Sequence, residues 1–206
     1  MSTLSATTTT LSTPNTLITR LFPGAQNLSG LTFMVLAVLG TALLTLSAKI
    51  SIPFYPVPTT LQTFAVIALG CLYGSRLSAA TVALYLFEGA LGLPVFQGAG
   101  AGLAYMAGPT AGYLVGFVSA AYIVGRLFEE GFGRSMPSAA LLFIIGAVVI
   151  DIPGLVWLSN LVGVDATKTV YLSYQYAFLL KTGLGAIIIP TLWNRASEHH
   201  HSVDKQ

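Results

Sequence analysis

Apolar residues come in long runs along this chain, and the runs are divided by short segments rich in glycine, proline or isolated charges. A bilayer crossing needs about twenty apolar residues, fewer where protein covers the ends. On that measure the pattern predicts spans over 31–48, 59–73, 77–91, 104–128, 138–161 and 170–193. The expected fold class is an all-α membrane protein: a bundle of six transmembrane helices, 31–193, with structured outer loops. Residues 1–30 read as a flexible N-terminal segment and 194–206 as a polar tail, both on the cytoplasmic side. The second and third spans are short, which a bundle tolerates when its neighbouring loops are buried.

The segment 85–117 organises the rest. Glycine at 89, 92, 98, 100, 102, 108 and 112 and proline at 94 and 109 prevent it from staying helical. It is nearly free of charge, so it is either a loop folded back over a cavity at membrane depth or a flexible linker. A second irregular segment, 50–58, carries three prolines around Phe54 and Tyr55 and reads as a stiff lid or a rigid connector.

Composition agrees with a lipid environment. The chain is 54% hydrophobic and 8% charged, whereas soluble domains carry about 25% charged residues. A net charge of +2 without a basic run argues against nucleic acid as a partner. The one cysteine, Cys71, sits in an apolar run and reads as a packing residue. Basic residues orient the bundle: with both termini inside, Arg20, Arg76, Arg126, Arg134, Arg195 and Lys205 are cytoplasmic, against Lys49 and Lys168 outside. The loop 92–103 then faces outward.

Candidate chemistry is sparse. No histidine precedes residue 199, no carboxylates cluster as metal ligands and no GxxxxGK[ST] loop is present, so neither a histidine-based hydrolase nor an ATPase can be assembled from the spans. No cofactor or metal is expected, and energy for active transport must come from other subunits or a gradient. Ionisable residues within spans are Glu88, Asp151 and Lys181, default site candidates because isolated charge in hydrocarbon is costly. Tyr85 lies on the Glu88 face. Gln62, Gln97, Asn160, Gln175, Tyr105 and Tyr113 offer neutral donors and acceptors, and Trp157 and Phe96 can supply a wall. On the first helix Ala37, Thr41, Thr45 and Ala48 form a small-residue stripe, suited to close approach by a partner helix or to packing within the bundle.

The runs GALGLPVF at 89–96, GPTAGY at 108–113 and PVPTTLQT at 56–63 resemble BioY, the biotin-binding membrane subunit of energy-coupling factor (ECF) transporters, over roughly 31–192. The resemblance implies capture of biotin near the outer face of a plasma-membrane protein, with docking to a transmembrane coupling protein driven by two ATPases. It implies a coupling face at the small-residue stripe and a match of Asp151 to the aspartate before a GxxWL segment. The last helix departs from the family's F-x-x-G-D-x-x-K pattern, because the register from Phe178 puts Thr182 and Gly185 there. Lys181, one turn before Gly185, can deliver an ammonium instead. Another vitamin, or a membrane enzyme using Glu88 as acid or base, stays open, as does whether the chain works alone or self-associates.

Overall fold

The computed structural model describes residues 11–12, 16–21, 27–53 and 57–203. In chain order the helices are α1 (Leu17–Leu21), α2 (Gly30–Lys49), α3 (Gln62–Ala90), α4 (Gly102–Met106), α5 (Ala111–Glu129), α6 (Met136–Val162), α7 (Val164–Ser173) and α8 (Gln175–Val203). Four two-residue strands form two antiparallel pairs: β1 (Leu11–Ser12) with β2 (Asn27–Leu28), and β3 (Ser51–Ile52) with β4 (Thr59–Thr60). Five helices, α2, α3, α5, α6 and α8, are long and apolar enough to cross a membrane.

The expected second and third spans are the two helical arms of α3, which folds back on itself between them. Gln62 Nε2 lies 2.7 Å from Tyr85 Oη, whereas a straight helix would separate those residues by about 35 Å. The reversal is at Gly74, whose φ of 79° suits a residue without a Cβ. Glu129 caps the returning arm, accepting from Ser75 N at 2.7 Å and from Ser75 Oγ at 3.0 Å. A carboxylate at a helix N-terminus meets the free amides and the positive end of the helix dipole.

Two span expectations need correction. Gly108 and Pro109 break 104–128 into α4 and α5, because proline cannot donate into a helical ladder. The first residues of 170–193 belong to α7, and Tyr174 separates it from α8. The connection between α6 and α8 is therefore a ten-residue helix rather than a short loop. The helices nevertheless pack side by side. Pro153 lies inside α6 without ending it. At the termini, α1 does not lie apart from the bundle: Leu17 and Ile18 are buried and α1 packs on α8. The expected polar tail continues α8 as far as Val203. Residues 1–10, Phe54, Tyr55, Pro56 and Lys205 lie outside the described residues.

One face of α2 turns inward through Ala37, Gly40, Thr41, Leu44, Ser47 and Ala48. That spacing repeats every three or four residues. The small-residue stripe faces the bundle in this chain: Thr41 is 3% exposed, Ala48 is fully buried and Thr45 is half-buried. Its close neighbours are on α3, where Tyr73 Oη donates to Leu36 O at 3.1 Å. The opposite face is apolar and exposed through Met34, Val38, Leu39 and Leu46, as a lipid-facing surface must be.

Candidate functional site

A cavity opens at the end of the bundle where α2 finishes and both arms of α3 end. It holds about 1000 Å³ of empty space, counting its mouth. Four of the long helices each contribute one face: Thr63 and Ile67 from α3, Tyr113 and Phe117 from α5, Phe143, Ala147 and Asp151 from α6, and Phe178, Lys181 and Thr182 from α8. These sets repeat at three- and four-residue intervals, so regular helices suffice to aim them inward. Loops and short elements supply further lining through Val57–Thr60, Phe96, Gln97, Tyr105 of α4 and Thr110, with Tyr171 of α7 and Tyr174 beside them.

The loop after α3 is pinned by hydrogen bonds. Tyr85 Oη accepts from Gln62 Nε2 and donates to Val95 O at 3.0 Å, tying the two arms of α3 to the loop. The Phe96 ring stacks on Tyr105 with centroids 4.9 Å apart and meets Tyr85 edge-on at 5.5 Å. Gly89 makes room, since a Cβ there would overlap the Phe96 ring. Gln97 Nε2 reaches Ser51 Oγ at 3.3 Å, joining the loop to β3. Lys49 donates to the carbonyls of Pro94, Phe96 and Gly98, each at 2.7 Å, so all three ammonium protons hold the loop.

Among the sequence candidates, Lys181, Asp151, Phe96, Gln97, Tyr105, Tyr113, Gln62 and Gln175 line this cavity. Lys181 Nζ donates to Thr63 Oγ1 at 2.8 Å and sits 3.4 Å from Thr59 Oγ1. It makes no ion pair with Asp151, and among the described residues ion pairs involve Arg126 and Lys168 only. Tyr113 Oη is buried without a hydrogen-bond partner among the described residues.

The remaining candidates lie off the lining. Tyr85 acts on the cavity through Gln62. Glu88 Oε1 lies 3.1 Å from Thr41 Oγ1, whose hydroxyl is also 3.0 Å from Val38 O, so the carboxylate points between α3 and α2. Trp157 Nε1 donates to Gly108 O at 2.9 Å, bracing the break between α4 and α5. Asn160 donates to Val156 O at 2.8 Å within its own helix. Sequence reasoning missed Lys49, Thr59, Thr63 and Tyr174. Tyr174 donates to Val57 O, and Thr59 and Thr63 stand inside the 56–63 run that carried the family resemblance. Among the described residues no group of histidine, cysteine, aspartate or glutamate is arranged to hold a metal.

Comparison with known proteins agrees with this architecture. A probable biotin transporter BioY from Pyrococcus horikoshii is 35% identical over 162 residues, 79% of this chain and 88% of its own. Biotin transporter BioY2 of Lactococcus lactis subsp. cremoris is 30% identical over 161 residues, 75% of this chain and 86% of its own. The crystal structure of an S-component for biotin from an ECF-type ABC transporter superposes with a TM-score of 0.69 at 23% identity, over 80% of this chain and 92% of that one. At that identity the likeness speaks for the fold. The BioY family model matches residues 18–198. With that match and those relatives, the chain belongs to the BioY family.

Proposed function

We propose that the chain is the substrate-binding membrane subunit of an ECF-type vitamin transporter, and that it holds biotin in the cavity at Lys181 and Asp151. The observation that carries the reading is a group of polar atoms with capacity to spare inside an aromatic chamber. Among the described residues Lys181 is held by threonine hydroxyls only, Asp151 accepts no hydrogen bond, and Tyr113 Oη has no hydrogen-bond partner. A buried polar group left unmade costs about 1–3 kcal/mol, which a ligand that pairs with it returns. Biotin suits the set: Lys181 receives its carboxylate or ureido carbonyl, Asp151 accepts a ureido N–H, and Gln62, Gln97 and Gln175 offer amides. Phe96, Phe117, Phe143 and Phe178 cover its apolar rings and chain.

Counting the arms of α3 separately makes six crossings. The basic residues then set both termini inside and the cavity toward the outer face. Because the chain has no nucleotide-binding loop, a transmembrane coupling protein and two ATPases supply the energy, as the relationship to an ECF S-component suggests. The enzyme reading gains no support, since Glu88 lies away from the cavity. Titration of the purified protein with biotin, followed by recovery of the ligand, tests the proposal. One equivalent bound and returned unmodified is expected. Absence of binding, or conversion of the ligand, refutes it.

A further inference from the structure

Two buried side-chain polar atoms lack a hydrogen-bond partner among the described residues, Tyr113 Oη and Arg134 Nε. The first lies in the cavity. The second lies far from it, in the connection between α5 and α6. It sits beside Trp193, twelve residues and therefore about 18 Å of helix beyond Lys181.

Arg134 Cζ is 4.2 Å from the centroid of the Trp193 ring, and Arg20 Cζ is 4.3 Å from the same centroid. Trp193 is only 6% exposed and is fixed edge-on against Phe128 at 5.5 Å. Arg20 Nη1 donates to Ser197 Oγ at 3.1 Å, which anchors it to α8. Neither arginine has a carboxylate within ion-pair distance among the described residues, although Arg126 nearby in sequence has two. Burial lowers the pKa of Arg134, and the charge of Arg20 lowers it further.

Two guanidiniums thus crowd one indole with no counter-ion among the described residues, and Arg134 Nε is left without an acceptor among them. A tetrahedral phosphate neutralises such a pair and accepts from both forks. The surroundings select its source. Phe132, Met136 and Leu192, adjacent in sequence to Arg134 or Trp193, are exposed apolar side chains. A free ion has no use for them, whereas acyl chains do. We propose that Arg20 and Arg134, arranged around Trp193, bind the phosphate of an anionic phospholipid headgroup at the end of the bundle opposite the cavity.

Native mass spectrometry of the full chain in detergent, supplied with phosphatidylglycerol, phosphatidylcholine or inorganic phosphate, tests the site. Phosphatidylglycerol is expected to be retained in preference to phosphatidylcholine. Arg20→Gln and Arg134→Gln should each reduce that preference about fivefold, the effect of one basic side chain at an anionic surface. Arg76→Gln and Arg195→Gln remove the same charge from exposed positions and should leave it intact. Arg134→Lys keeps the charge but loses Nε, so it should also weaken retention, and it serves if the glutamine variant does not fold. Biotin titration of every variant reports on folding at the distant cavity. Equal loss in the Arg76 and Arg195 variants, no lipid preference in the unmodified chain, unchanged retention in Arg134→Lys, or equal protection by inorganic phosphate would each overturn the proposal.

Discussion

Lys49→Met keeps an unbranched stem of similar length while deleting the ammonium that holds the loop after α3. Three hydrogen bonds of 2.7 Å disappear, to Pro94, Phe96 and Gly98. Two of them face solvent and one is half-buried, so the values usual for bonds to charged groups must be reduced for screening. About 0.5 kcal/mol for each exposed bond and about 1 kcal/mol for the third sum to about 2 kcal/mol. If biotin binding needs the loop in place, because Phe96 and Gln97 form the wall, that loss raises Kd about 30-fold. The increase should lie mainly in the dissociation rate. Arginine cannot present three donors as a tripod, so Lys49→Arg should recover only part of the affinity.

Amide hydrogen exchange separates this from general damage. Phe96 N donates to Gly100 O and Gly100 N to Gln97 O within the loop, and both should lose protection in Lys49→Met. Amides of α5 should not. An unchanged Kd together with unchanged loop protection would refute the latch. Lost protection with an unchanged Kd would refute its coupling to the ligand.

Removing both charges with Asp151→Asn and Lys181→Met avoids stranding either one, and the double variant should fold without measurable biotin binding by titration. Unchanged affinity would take the ligand away from these residues. Thr41→Trp forces a large side chain into the contact between α2 and α3, where Thr41 is 3% exposed and bonded to Glu88. Thermal stability, biotin binding and uptake should fall together, and loss of uptake alone would reopen this position as a coupling face. Cysteines at Ile52 and Met136, both exposed, should react with an impermeant thiol reagent from outside and from inside respectively, while fully buried Cys71 stays silent. The reverse pattern would invert the proposed orientation.

What the sequence disclosed depended on whether a residue's role is decided by its neighbours along the chain. Apolar runs and the glycine-proline segment report local constraints, so helices and the loop after Ala90 were legible. The turn at Gly74 falls in the gap left between two expected spans. The choice between a kink and a full reversal needed a contact from Gln62 to Tyr85. Glu88 shows the opposite limit. A carboxylate within an apolar run signals that something must satisfy it. Only packing reveals that Thr41 of another helix stands 3.1 Å from it.

Lys49 extends that argument from charge to function. Read along the chain it is one basic residue at a helix end, useful for orientation. In the fold its ammonium is saturated by main-chain carbonyls 45 to 49 residues away, a partner class that has no residue-type signature. Lys181 has the reverse bonding: its partners are two threonine hydroxyls, which can also accept or donate elsewhere. A lysine saturated by fixed carbonyls is committed to holding backbone. One held by rotatable hydroxyls beside an unpartnered tyrosine can exchange its partners for a ligand at small cost. On the proposed reading the two lysines divide one task at the same end of the bundle, Lys49 building the wall and Lys181 meeting what the wall encloses.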